Sequence, residues 1–232
     1  LPGIRLWLDG DNINGDDTAD SLANGSAVTQ WIDQSGNTNN AGQGTTNAKP
    51  TYAANTLNGM GVVRFTAAQS LDITSSNDFS TVIAVMNQAS GQSAETKPLG
   101  SNIFATTSAG KFGMKRQGSA WMDSGISSHS PALITMQLYP GNYALYVNGI
   151  NKGTGTDPVA PTSATKVGND FAGDIAELIA YNTALSEGVR HKVEGYLAHK
   201  WGLAGSLPPT HTYKVGKPAF GGAQVLTFQP LS

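Results

Sequence analysis

The sequence predicts an all-β protein, a two-sheet antiparallel jelly-roll-like sandwich that carries one C-terminal amphipathic helix. Three observations predict it. Short runs rich in β-branched and aromatic residues recur through the first 184 residues, each bounded by Gly, Asn, Asp or Pro. A single segment near the C-terminus has apolar residues four apart. Charged residues make up only 13% of the chain, so its polarity comes from Asn, Ser, Thr, Gln and Gly, a composition of short strands joined by many turns.

The strand series begins at Ile4–Leu8 and continues with Ala27–Ile32, Val62–Phe65 and Thr81–Met86. Lys111–Lys115, Leu133–Leu138, Tyr143–Val147 and Ile175–Tyr181 follow. Pro140-Gly141-Asn142 and Asn148-Gly149 stand where hairpin turns belong, since Gly and Asn tolerate positive φ. Many short strands with turns between them argue for a sandwich or a barrel. Leu185, Val189, Val193, Leu197 and Trp201, with Tyr196 alongside, form the apolar stripe of a helix over Ser186–Trp201. Ser186 suits its N-cap, Glu187 and Lys200 suit the two ends of its dipole, and Gly202 suits the C′ position. The stripe should lie against the sandwich and leave His191, Lys192 and His199 facing elsewhere. Residues 1–214 read as one domain; 215–232 read as a terminal edge strand, around Val225–Phe228, or a linker toward a further module.

A chain of 232 residues without Cys can fold on its own core, and it has neither a disulfide framework nor a thiolate metal site. With a net charge of −2 and scattered Lys and Arg it offers no electrostatic footprint for nucleic acid. No apolar run approaches the ~20 residues that span a bilayer, so membrane insertion is not expected. The start at Leu1-Pro2-Gly3 reads as that of a mature protein or an excised domain, and the composition fits a secreted or cell-surface location.

Several segments together resemble bacterial laminin-G-like, concanavalin-A-like domains. They are Leu6-Trp7-Leu8-Asp9, Trp31-Ile32-Asp33-Gln34-Ser35-Gly36-Asn37, Leu57-Asn58-Gly59 with Val62–Phe65, and Tyr146-Val147-Asn148-Gly149. Phe171–Asn182 followed by Ala184-Leu185-Ser186, and the closing Gly195–Leu203, complete the ordered set. The resemblance implies the sandwich fold. It does not imply one ligand, because that fold hosts lectins, adhesins, carbohydrate-binding modules and some glycosidases.

Two loops are candidate Ca²⁺ sites. Asp9, Asp11, Asn12, Asn14, Asp16 and Asp20 crowd hard oxygens into one stretch, and Asn12, Asn14 and Asp16 alternate as cation-loop ligands do. The stretch is not an EF-hand: Asp17 replaces the turn Gly and Ala23 stands at the twelfth place. The bland alternative is a solvated Asx-rich turn. Asp33, Ser35 and Asn37 form a second set, for which the resemblance implies oxygen ligands on a rim, with Asp174 as a further one; an Asx turn is again the alternative.

Candidate sugar contacts are Trp121, Tyr139 and Tyr143, because an aromatic ring can stack on the apolar face of a pyranose. Arg116, Gln117 and His129, near Trp121 in sequence, could bind hydroxyls. Trp7, Trp31 and Trp201 lie on apolar patterns and belong to the core. The four His include no His-Glu-x-x-His, which argues against zinc. Enzyme signatures are also missing. The four Glu are Glu95, Glu177, Glu187 and Glu194, none in the Glu-x-Asp-x-x-Glu arrangement of laminarinase-like hydrolases. The odd spacing of Asp174 and Glu177 places them on opposite faces of a regular strand. The expected function is therefore that of a non-catalytic glycan-binding module of a larger secreted enzyme or adhesin, stabilised by Ca²⁺. The alternative is a structural or protein-binding module without sugar affinity, which spaces or docks its neighbours, and a glycoside hydrolase is a distant third reading.

Overall fold

In the computed structural model, which describes residues 3–90, 96–100, 105–106, 110–115, 122–156 and 162–219, the strands pair antiparallel throughout. In chain order they are β1 (Ile4–Asp9), β2 (Gln30–Trp31), β3 (Ala41–Gly42), β4 (Thr51–Leu57), β5 (Met60–Phe65), β6 (Leu71–Phe79), β7 (Thr81–Gln88) and β8 (Lys97–Leu99). Then come β9 (Ala105–Thr106), β10 (Lys111–Met114), β11 (Met122–Ser127), β12 (Ala132–Tyr139), β13 (Asn142–Val147), β14 (Ile150–Thr156), β15 (Thr162–Asn169) and β16 (Gly173–Tyr181), followed by helix α1 (Glu187–Lys200). An eight-stranded sheet runs β14-β13-β12-β7-β16-β5-β4, with β1 also paired to β16. The edge of β16 is shared: Gly173–Ile175 pair with β5, and Glu177–Tyr181 pair with β1. A five-stranded sheet, β2-β3-β6-β15-β8, and a three-stranded one, β11-β10-β9, face it.

Alternation decides which side chains lie between the sheets. Leu6, Leu8, Val63, Phe65, Val82, Ala84, Met86, Ile134 and Met136 point inward, against Leu71, Ile73, Leu99, Phe112, Met114 and Val167 of the facing sheets. Their odd-numbered or even-numbered neighbours Trp7, Val62, Ile83, Val85 and Leu133 form a second cluster on the outer face, beneath α1. The central strands are thus buried on both faces, and β16 has all nine residues buried, Asp174 and Glu177 among them. The helix closes that outer cluster with Val193, Leu197, Ala198 and Trp201. Val193 and Leu197 each contribute about 1.5–3 kcal/mol on burial.

The helix runs within one residue of its expected bounds. Ser186 is its N-cap and has an extended backbone, but its hydroxyl makes no capping hydrogen bond. Gly202 takes φ +73°, and the Leu203 N–H reaches the Ala198 carbonyl, closing a Schellman turn. Asn148 (φ 51°) and Gly149 (φ 73°) form the expected tight hairpin between β13 and β14.

Three expectations change. The strand expected over Ala27–Ile32 shrinks to Gln30–Trp31, because Val28 and Ile32 donate to the loop carbonyls of Pro50 and Ile13 instead of to a ladder. His191 and His199 do not simply face away. The segment after Pro209 folds back along the helix, so the His191 ring stacks 4.3 Å from that of His211 and His199 Nε2 meets the Tyr213 carbonyl at 2.9 Å. Gly195 makes room for this return, since a Cβ there would lie 2.4 Å from that of Tyr213. Third, a β-bulge between Ile175 and Glu177 resets the parity of β16. Ile175 and Leu178 point inward, whereas Glu177 lies on the outer face beneath the helix. Asp174 pairs there with Arg64, which alternates with the inward Val63. Asp174 and Glu177 therefore share a face. Residues 215–219 are neither helix nor strand, and Val225–Phe228 lie outside the described residues. Among the described residues no helix is long and apolar enough to cross a membrane.

Candidate functional site

An open pocket of about 430 Å³ lies on the outer face, between the ends of β12, β13 and β14, the first turns of α1 and the returning segment Pro208–His211. Its formation is local chemistry. On β12, Thr135 and Gln137 replace apolar residues at the positions that point outward, alternating with the inward Ile134 and Met136. They meet the helix with polar atoms: Thr135 Oγ1 donates to Glu194 Oε1 at 2.7 Å, and Gln137 Nε2 donates to the Leu185 carbonyl at 2.8 Å. Tyr139 follows on the same face, is 37% exposed, and donates its hydroxyl to Gln137 Oε1 at 2.6 Å. Burial, and the neighbouring Tyr146 hydroxyl, push the Tyr139 pKa up to about 12, so it is a neutral phenol at any physiological pH.

Beneath the pocket lies a hydrogen-bonded cluster centred on Glu194, whose side chain is fully buried. Arg190 Nη1 donates to both its oxygens, at 3.1 and 2.8 Å, while the guanidinium lies 3.9 Å from the centre of the Tyr146 ring. His211 Nε2 stands 3.3 Å from Glu194 Oε2, and Tyr213 N–H donates to His211 Nδ1 at 3.2 Å. That backbone donor fixes the tautomer: Nδ1 accepts, so Nε2 carries the proton and points it at Glu194. His191 completes the ring, with Nδ1 3.1 Å from Thr212 Oγ1 and Nε2 3.3 Å from Arg190 Nη2. Burial first, then the neighbouring Arg190 and His211, lower the His191 pKa, so the ring is neutral near pH 7 and accepts from Arg190.

His191, Glu194 and His211 have potential ligand atoms within 4.8 Å of one another, the one such group of three among the described residues. The hydrogen bonds nevertheless describe a proton-filled network. Arg190 occupies both carboxylate oxygens, and the lone pair that a cation would need on His211 Nε2 is replaced by N–H.

The residues singled out in the sequence do not assemble in one place. Tyr139 lines the pocket. Tyr143 does not: it is 4% exposed, one strand position inward, in the core between the sheets. Its ring fills the space over Gly155, where a Cβ would lie 2.4 Å from Cζ. His129 precedes β12 and contacts the Gln88 carbonyl at 3.5 Å, at the opposite end of the strand from Tyr139. Between them β12 alone spans about 23 Å from Ala132 to Tyr139. Trp121, Arg116 and Gln117 lie outside the described residues. Tyr146, Asn151, Glu187, Arg190 and His191, which also line the pocket, were not foreseen. The legible signals were the outward polar Thr135 and Gln137 on an apolar strand, and the i, i+4 pair Arg190 and Glu194 on an apolar helix.

The Ca²⁺ candidates divide. Asp9 is ion-paired with Lys200 and nearly buried. Asp33 accepts from the backbone of Trp7, Ser35 and Asn39 and from the Ser35 hydroxyl, and Asn37 donates to the Ile4 carbonyl, so this set pins β1. Asn12 is held by Gln34 and accepts from Asp16 N–H. Thr18, through its hydroxyl and backbone N–H, and to a lesser degree Asn14 hydrogen-bond the exposed Asp16 carboxylate, which lowers its pKa. Asp20 accepts from Ile13 N–H, yet its pKa is raised, by burial first and then by the Asp16 and Asp11 carboxylates. Among these candidates, Asp20 is the one whose pKa other candidates, Asp16 and Asp11, raise as like charges.

Comparison with solved structures places the architecture. Domain 4 of AbnA, an extracellular GH43 arabinanase of Geobacillus stearothermophilus solved with arabinotriose, superposes with a TM-score of 0.50 at 16% identity, covering 79% of this chain and 94% of that one. Trypanosoma rangeli sialidase, solved with sialic acid, gives 0.52 at 12% identity, covering 86% of this chain and 33% of that one. The chain shares a β-sandwich fold with both. The botulinum neurotoxin serotype D binding domain gives 0.53 at 13% identity, over 83% of this chain and 51% of that one. This chain thus spans about a third of the sialidase and half of the toxin domain. No protein-family model matches the chain, and no curated protein matches it.

Proposed function

We propose that this chain is a non-catalytic carbohydrate-binding module of a larger secreted or cell-surface protein, an enzyme or an adhesin. The observation that carries this reading is the open polar pocket, where the half-exposed Tyr139 ring stands beside Tyr146, Asn151 and Glu187. A ring to stack on a sugar face and acceptors for its hydroxyls are what such a ligand requires. The fold shared with structures solved with sugars supports it. The acids support a non-catalytic role: glycoside hydrolysis normally needs two carboxyls on one bond. Glu187 is the one acid lining this pocket among the described residues, while Asp174, Glu177 and Glu194 are each paired with a cation. Binding on a glycan array that falls at least tenfold in Tyr139→Ala, with no new reducing ends released from polysaccharides, is the expected result. Silence across plant, algal and animal glycans would instead favour a structural or protein-docking module.

A structural Ca²⁺ is part of the proposal only at the loop of Asp11, Asp16 and Asp20, where a cation would relieve the repulsion that Asp16 and Asp11 exert on the Asp20 carboxylate. An ion bound by the folded state alone raises the melting temperature by mass action. Melting is therefore expected a few degrees higher in millimolar Ca²⁺ than in EDTA, and coincident curves remove the ion from the account.

A further inference from the structure

We propose that the pocket selects neutral, hydroxyl-bearing sugars and turns away acidic ones, with Glu187 as the residue that sets this preference. The inference rests on the carbohydrate-binding reading of the same pocket and names its ligand class. It follows from which charges in the pocket are answered. Arg190 is the one Lys or Arg lining it among the described residues. Its side chain is 5% exposed, and its donors are directed at Glu194 and at His191 Nε2. The Arg190 and Glu194 charges cancel at close range. His191 and His211 are neutral in the hydrogen-bonding pattern above. Glu187 remains: its side chain is 77% exposed, and its nearest cationic or ionisable partners are Arg190 Nη2 at 3.9 Å and His191 Nε2 at 3.6 Å, both loose contacts. The pocket therefore presents an acceptor carboxylate with no free cation beside it. Sugar hydroxyls donate well to such a group, and paired hydroxyls on adjacent carbons can use both of its oxygens. A uronate, sialate or sulfate meets a like charge instead. At ~6 Å in a partly solvated site, one unit charge alters affinity on the order of fivefold to tenfold.

The experiment uses the intact chain at pH 7.5, where His191 is neutral, with matched oligosaccharides that differ only in a terminal neutral or acidic sugar. Titration calorimetry of wild type and Glu187→Gln gives the ratio of the two affinities. Wild type should prefer the neutral member, and Glu187→Gln should narrow that preference fivefold to tenfold through tighter binding of the acidic one. The preference of wild type should shrink from 20 mM to 500 mM salt, whereas the ratio for Glu187→Gln should change little, a difference that a merely structural role would not produce. Equal or tighter binding of the acidic sugar by wild type, or a ratio unmoved by Glu187→Gln, overturns the inference and leaves carbohydrate binding standing. Failure of both sugar classes to bind overturns the two together.

Discussion

Replacing Lys200 with Met should destabilise the fold by about 3–5 kcal/mol at pH 8 and by distinctly less at pH 5. Lys200 bridges two acids that sit directly opposite each other in the β1–β16 ladder, Asp9 and Glu177. Glu177 is wholly buried; Trp7 Nε1 donates to Oε1 at 2.7 Å, and Lys200 Nζ and Trp201 Nε1 donate to Oε2 at 2.7 and 2.8 Å. Burial alone would depress the Lys200 pKa, yet Glu177 and Asp9 raise it overall, so the ammonium stays charged at both pH values. Asp9 moves the other way. Burial first, and Glu177 second, push its pKa from 3.8 to about 6, against the pull of Lys200. The folded state therefore holds this proton more tightly than the unfolded chain does. Its contribution is fully present below about pH 4 and is lost as pH rises through 6, a swing of up to about 3 kcal/mol. Without Lys200, Asp9 can escape its buried charge by taking up a proton, but only in acid. Denaturant melts of wild type, Lys200→Met and Asp9→Asn at the two pH values check this. A penalty for Lys200→Met that does not depend on pH, or an Asp9→Asn variant that keeps the full slope between pH 4 and 6, would contradict it.

The second large effect belongs to the cluster beneath the pocket. Arg190→Met should cost about 3–5 kcal/mol, because Glu194 is left charged and buried with only Thr135 and His211 to solvate it. The double variant Arg190→Met, Glu194→Met should recover most of that loss, since an apolar pair of similar volume avoids the desolvation of both ions. Equilibrium unfolding of the two single variants and the double closes the cycle. Additive losses would show that the buried pair does not hold this junction of helix, sheet and returning segment.

The fold was largely legible because its signals are local. The central strands β7, β12 and β16 are buried on both faces and read as apolar runs, and Val193, Leu197 and Trp201 marked the docking stripe of the helix. Strands rich in polar residues were not legible. Ile150–Thr156 carries Asn, Lys, Gly and Thr and buries none of its residues, so neither alternation nor propensity distinguishes it from a loop. The face of Glu177 was misread for a different reason. Parity counts residues, and a bulge adds one without any residue type that announces it. The pocket needed partners far apart in sequence, Thr135 with Glu194 and Arg190 with Tyr146, and no spacing in a linear chain encodes such meetings. Of the expected sugar contacts, Tyr139 stands at a strand end and lines the pocket, whereas Tyr143, four residues on, turns inward across the hairpin.

The pairing of β1 with β16 also sets a timetable for biosynthesis. The N-terminal strand leaves the ribosome first, yet its partner residues 177–181 emerge last of the sheet, and the Lys200 that neutralises Asp9 emerges later still. Until then β7 and β5 have no neighbour on the side that β16 will fill. The nascent chain must carry open, apolar sheet edges through most of its synthesis, and contacts this distant in sequence close slowly. A cell making this protein has to shield those edges from their counterparts on neighbouring nascent chains, so yield on overproduction should depend on holdase chaperones more than on the stability of the finished molecule.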